Sequence, residues 1–253
     1  MLKATVRNRW QASALHLALS ALIALAVLAA MLELWYPGPL FRAMGGNGLF
    51  FIVIGVDVVL GPLVTLVVFR RGKRGLKFDL TVIALLQLAA LAYGLRVVYL
   101  AHPAYIVFVK DRFEVAMPAG LDPAELAKAR FPQFRTLPWG APVLAAADFP
   151  ADPQERSRLA SLALAGLDLQ SFPKYWAPYG DRAQEVLAKA QTIERLRATD
   201  PGIARIVDAY LASSGTRTED VRYVGLRARR AWIAVLVDAR TARPVKMLYV
   251  LAL

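Results

Sequence analysis

The chain has 253 residues, 57% of them hydrophobic, with a formal net charge of +12 and no cysteine. That length accommodates one domain of ordinary size plus a membrane region. Without cysteine, disulfides, thiol catalysis and cysteine-ligated metals are excluded, and two lone histidines, His16 and His102, rule out a histidine-rich metal site. The apolar excess lies almost wholly before residue 101. Residues 1–100 carry ten Lys/Arg against three acids, and residues 101–253 carry 21 against 16. A nucleic-acid binder concentrates basic side chains on its folded domain. Here the densest basic runs flank apolar segments, so the charge describes membrane topology and no nucleic-acid partner is expected.

In chain order, three segments reach the roughly 20 apolar residues that a bilayer core requires: about 14–36, 48–69 and 80–100. The first follows a basic start, and "AVLAAM" could pass for a signal-peptidase site. Its apolar stretch exceeds the roughly 7–15 residues of a signal peptide, so it reads as a retained span. Orientation follows the Lys/Arg of the short flanks. Lys3, Arg7 and Arg9 precede the first span, and Arg70, Arg71, Lys73, Arg74 and Lys77 separate the second from the third. The first-to-second loop has only Arg42. Both basic flanks belong in the cytoplasm, so residues 101–253 lie outside it, in the periplasm of a bacterium with two membranes. Trp35, Tyr36, Tyr99 and Tyr105 fall near the outer boundary, where aromatic rings suit the interface.

The sequence thus divides into a transmembrane domain, 1–100, and a periplasmic domain, 101–253. "AYIVFVKDRFEVAM" reads as one long or two short strands, and "APVLAAADF" as another. Asp-Pro opens helices at 122–123 and 152–153. "GDRAQEVLAKAQTIERLRA" predicts one amphipathic helix, with Val186, Leu187, Ile193 and Leu196 near a 3.6-residue period. A further helix starts at Pro201 and closes near Gly215. The end of the chain reads as three strands, with turns near 228–230 and at "DARTARP". The class is α+β: an antiparallel sheet with helices on one face. This domain is expected to fold alone.

Asp57 is the only acid well inside a span. A buried acid in a membrane helix marks a ligand, proton or partner site by default, and it can equally pair with a neighbour and stabilise the bundle. Gln87, Tyr93 and Arg96 on the third span are the polar groups nearest its depth. Arg96 either snorkels outward or reaches in to neutralise Asp57. With no second acid for a relay, proton transport is not expected. Gly61-Pro62 follows within one turn; the proline removes a backbone bond and bends the helix, as a plain kink or to present Asp57 to a partner helix. "GGNG" at 45–48 lacks the following Lys-Ser/Thr of a phosphate loop and reads as an outer turn. In "KYWAPYGDR", Tyr175, Trp176 and Tyr179 form either a loop packed on the core or an aromatic contact patch for a protein partner. "RARR" at 227–230 reads as a solvated hairpin edge. No serine sits in GxSxG and no nucleophile–base–acid set emerges, so neither an enzyme nor a cofactor is expected.

Trp35-Tyr36-Pro37, Gly45-Gly46, Val56-Asp57-Val58, Leu60-Gly61-Pro62, Thr65, Phe69, Lys77, Asp79-Leu80, Gln87 and Tyr93-Gly94 resemble the TfpX/TfpZ family of type IV pilin accessory proteins. The likeness continues into "KDRFEV" at 110–115 and returns weakly in the terminal strands. It implies a non-catalytic protein of the inner membrane that assists a major type IV pilin before or during assembly. The pilin helix would pack on the second and third spans, and the periplasmic domain would set specificity. The competing class is a membrane-anchored extracytoplasmic ligand-binding or sensor protein, against which the short cytoplasmic segments count.

The charge pattern makes a topology prediction. Alkaline phosphatase fused after residue 253 should be active and fused after residue 74 inactive; the reverse pattern would invert the orientation and remove the periplasmic assignment.

Overall fold

The computed structural model describes residues 8–164 and 166–252. They pack as two compact units, one of Met1–Glu33 with Gly46–Leu100 and one of Leu34–Gly45 with Ala101–Leu253.

The first unit holds the three spans. Helix α1 (Arg9–Ala30) starts at Asn8, whose side chain accepts from Gln11 N, and ends in a π-helical turn at Met31–Trp35. After the short α2 (Leu40–Ala43), which belongs to the second unit, comes a second span of three parts: α3 (Gly46–Gly55), a π-helical turn (Val56–Leu60) and α4 (Gly61–Val68). The third is α5 (Leu76–Ala101). By length and apolarity Arg9–Trp35, Gly46–Val68 and Leu76–Ala101 can each cross a membrane. Most of their large apolar side chains, such as Leu22, Phe51 and Leu86, face outward, as lipid contact requires.

The second unit is built on seven strands: β1 (Tyr105–Val109), β2 (Arg112–Ala116), β3 (Val143–Ala147), β4 (Trp176–Pro178), β5 (Val221–Arg227), β6 (Ala231–Asp238) and β7 (Pro244–Ala252). Their order is β4-β3-β1-β2-β5-β6-β7. The class is α+β, but the sheet is mixed where the sequence predicts an antiparallel one: β1 runs parallel to β3, and β2 parallel to β5. These are the two places where chain neighbours do not pair, and long connections carrying the helices close them.

The Asp-Pro starts behave as expected. Asp122 accepts from Ala124 N at 2.8 Å to cap α6 (Pro123–Leu126), and Asp152 accepts from Gln154 N at 3.0 Å at the start of α7 (Pro153–Leu164). The helix predicted through 180–198 is broken into α8 (Ala183–Lys189) and α9 (Ile193–Arg197). Between them Gln191 leaves the helical path and exchanges backbone hydrogen bonds of 2.8 and 2.9 Å with Tyr223 of β5. Strand β2 pairs with β5 only at 226 and 227, so Gln191 supplies a partner that the exposed part of β5 lacks. Helix α10 (Pro201–Ser214) is capped by Asp200 and closed by Gly215 at φ 65°.

Two apolar clusters lie under the sheet. One joins Tyr105, Val107 and Ala145 of the strands to Leu126, Phe134, Leu159 and Leu169. The other joins Ala234, Leu236 and Leu248 to Ile193, Ile203 and Val207 of α9 and α10. Glu114 is buried where β2 meets β5 and holds Arg112 (2.7 Å) and Arg227 (2.9 Å), one on each carboxylate oxygen.

Coverage is not confined to one face. Leu248 points to α10, so Tyr249, its neighbour along the strand, points the other way; there Arg42 of the first-to-second loop stacks on its ring at 4.6 Å. The backbone of the same loop accepts from the β5–β6 turn, Arg230 N to Ala43 O at 2.8 Å. A boundary at residue 100 would leave 34–45 with the membrane spans; by packing, this loop belongs with the sheet. The 227–230 turn is solvated as the sequence predicts, with Arg229 and Arg230 exposed, but it joins two interior strands and Arg227 is held by Glu114.

Trp176 is completely buried, its ring 4.8 Å from that of Tyr105 and 5.6 Å from that of Phe134, with Nε1 donating to Leu169 O at 3.1 Å. Trp176→Ala should therefore lower unfolding stability by about 3–5 kcal/mol, read as a fall in the melting temperature of the full chain in mild detergent. A near-wild-type melt would mean that this ring is not part of the core.

Candidate functional site

Within the first unit, the second span brings its polar groups to the inside of the bundle. In a regular α-helix the carbonyl of Asp57 would accept from Gly61 N. Here Gly61 N donates to Val56 O, five residues back, which defines the π turn. The next residue, Pro62, has no N–H. Asp57 O therefore has no backbone donor from the following turn, in a region where no water replaces one. The third span supplies the substitute: Gln87 Nε2 lies 3.5 Å from Asp57 O and 3.4 Å from Asp57 Oδ1, two long hydrogen bonds from one amide. Asp57 is only 6% exposed.

Gly61 makes that approach possible. A Cβ at this position would lie 2.1 Å from Gln87 Nε2 and 2.9 Å from His16 Nε2. The first span closes the seam: Ser13 Oγ donates to Pro62 O at 2.9 Å, and His16 Nδ1 is 2.6 Å from Thr65 Oγ1. Ser13 and His16 on α1, Asp57 and Thr65 on the second span and Gln87 on α5 thus form one polar seam through three helices. Beside it opens a cleft of about 310 Å³, with His16, Thr65 and Gln87 among apolar walls such as Leu15, Phe69 and Ile83.

Of the residues singled out by sequence, Asp57, Gly61, Pro62 and Gln87 come together. Tyr93 does not: its side chain is 68% exposed on the outside of the bundle. Arg96 is exposed as well and makes no bond to Asp57. The aromatic loop is not a free contact patch. Trp176 is core, and Tyr179 lays its ring against Phe113 at 5.8 Å and donates to Ala242 O at 2.6 Å; burial pushes its phenol up to about 12. Tyr175 donates to Glu155, which also holds Lys174 at 2.6 Å; the bonds from Lys174 and Tyr175 keep the Glu155 carboxyl down at about 2. Three rings close in sequence fit a core as well as a surface, and here they fill one. Sequence reasoning passed over Ser13 and His16. Their signal was available: polar residues three apart on one face of an otherwise apolar helix. Among the described residues no group of three or more His, Asp and Glu could hold a metal ion.

The fimbrial assembly protein FimB family matches residues 4–45, the first span and the loop after it. Two proteins of Dichelobacter nodosus match nearly throughout. "Fimbrial assembly protein, serogroup I" is 33% identical over 234 residues, covering 88% of this chain and 89% of that one. "Fimbrial assembly protein, serogroup E1" is 30% identical over 233 residues, with the same coverage. The chain belongs to the fimbrial assembly protein family. A third member, "Fimbrial assembly protein, serogroups C1 and C2", is 37% identical over 106 residues, 41% of this chain and 80% of its own length. No solved structure matches. For this fimbrial assembly family member, the match over 4–45 includes Ser13 and His16 as well as the loop that packs on the sheet.

The seam predicts a coupled pair. In Gly61→Ala the Gln87 amide must withdraw and leave the Asp57 carbonyl unpaired, at a cost of about 1–3 kcal/mol, measured as a lower melting temperature in detergent. In a Gln87→Ala background the same glycine change should cost much less. Additive effects would show that Gly61 does not act through Gln87.

Proposed function

We propose that this protein is a non-enzymatic accessory factor of the bacterial inner membrane, of the TfpX/TfpZ type, that assists or modulates a type IV pilin before or during pilus assembly. Near full-length similarity to proteins named for fimbrial assembly supports the process. The observation that carries the mechanism is the polar seam beside an open cleft inside a lipid-embedded bundle. One carboxylate, one amide, one imidazole and two hydroxyls offer hydrogen bonds. The Thr65 hydroxyl meets the His16 imidazole, but Asp57 bonds to Gln87 and not to that imidazole, which supports a binding role over a catalytic one.

A pilin presents a membrane helix and a globular head outside the membrane. In this reading the pilin helix lies along the second and third spans and inserts a side chain into the cleft, where Gln87, His16 and Thr65 recognise a polar group and Asp57, buried behind them, holds the Gln87 amide. A carboxylate at the centre of a span costs about 2.5–3.5 kcal/mol on insertion scales, which a purely structural bundle could avoid with a leucine. The second unit then contacts the pilin head and sets which pilin is accepted. The basic flanks support a cytoplasmic N-terminus in this reading, and the resemblance to TfpX/TfpZ proteins supports the inner-membrane location.

The test is Asp57→Leu, with surface pili and protein abundance measured in the same cells. Normal abundance with reduced piliation is expected, and Asp57→Asn should be milder because the amide keeps its hydrogen bonds. Full piliation at normal abundance would remove Asp57 from the mechanism. Piliation falling only in proportion to abundance would make it a structural residue.

A further inference from the structure

The second unit carries a rim of exposed arginines on the loop that links the first two spans and on the turn bonded to it. Its loop 34–45 is tied at both ends to spans, since Trp35 ends the first and Gly46 begins the second. Whatever is bonded to that loop is therefore tethered through it to both spans. Arg42 lies within the loop, and Arg229 and Arg230 lie in the β5–β6 turn that bonds to it through Arg230 N and Ala43 O. The Arg230 side chain runs against Gly45, where a Cβ would meet its Nε at 3.0 Å and where φ is +81°. All three arginines are exposed. Among the described residues none of the three has an ion pair, whereas Arg227 beside them is held by Glu114. Stacking of Arg42 on Tyr249 uses the face of its guanidinium and leaves the N–H fork at its edge, which suits phosphate oxygens.

An aromatic group marks the same level. Trp35 Nε1 donates to Trp139 O at 3.0 Å, the two rings meet edge to face at 6.2 Å, and Trp139 is 71% exposed. An exposed tryptophan held by the tryptophan that ends a span, with arginines free of ion pairs on the following loop and on the turn bonded to it, is the composition of a headgroup contact.

We infer that Arg42, Arg229 and Arg230 bind the phosphates of anionic phospholipids in the leaflet facing the second unit, with Trp139 at the interface, so that the unit is seated on the membrane by lipid as well as by its covalent links. This does not rest on the pilin reading.

The absence of native cysteine allows a local probe. A fluorophore on Gly140→Cys reports the rim, and one on Arg240→Cys reports the β6–β7 turn at the other end of β6. Full-length protein in neutral detergent is titrated with dihexanoyl phosphatidylglycerol, with dihexanoyl phosphatidylcholine and with inorganic phosphate. The rim probe should respond to phosphatidylglycerol and much less to phosphatidylcholine. Each Arg→Gln change should weaken the apparent affinity about fivefold, and the triple change on the order of a hundredfold, with an unchanged circular dichroism spectrum. Equal affinity in the triple variant, no response at the rim, or the same response at both probes would overturn the inference. A response to phosphate matching that to phosphatidylglycerol would make this a free-anion site and overturn the lipid assignment.

Discussion

The membrane part of this protein is organised by one missing hydrogen-bond donor. Pro62 offers no N–H, and the π turn before it commits Gly61 N to Val56 O. In water the bare Asp57 carbonyl would be hydrated; in a bilayer it must be met by protein. Gln87 meets it and the Asp57 carboxyl together. That bond fixes the depth of the third span against the second. The lack of a side chain at Gly61 lets Gln87 and His16 come close. Apolar side chains alone would not specify this register, because lipid is as apolar as they are.

Outside the membrane the equivalent role falls to the loop between the first two spans. Ten or so residues linking two helices need do no more than turn. This loop covers the face of β7 opposite α10 and bonds to the turn joining β5 and β6. Strand β6 is buried at nearly every position as a result, which is why its sequence, "AWIAVLVD", is continuously apolar where a half-exposed strand would alternate.

Much of this was legible in the sequence. Spans declare themselves by composition, Asp-Pro starts by capping chemistry, and the last three strands by β-branched and aromatic runs between turns. What was not legible depends on residues far apart in the chain. The apolar spacing through 183–197 fits one helix, and only the unpaired stretch of β5 pulls Gln191 out of it. Parallel pairing of β1 with β3 leaves no local mark. Asp57, Gly61, Pro62 and Gln87 could be picked out because each is costly or unusual in a membrane helix. Ser13 and His16 are tolerated near a span end, and their part in the seam needs the relative rotation of three helices. Tyr93 and Arg96 sit at plausible depths but on the wrong face, which depth alone cannot reveal.

The join between β2 and β5 has a mechanical consequence. The seven strands form one sheet, yet the strand pairing between its two halves is confined to two residue pairs, Phe113 with Leu226 and Glu114 with Arg227. Each half keeps its own apolar cluster on one face, and on the other Tyr179, its ring against Phe113, reaches across to Ala242 O. Where backbone pairing is thinnest, side chains take over: the carboxylate of Glu114, gripping an arginine of each strand, acts as a rivet on one face, and the Tyr179 phenol as a strap on the other.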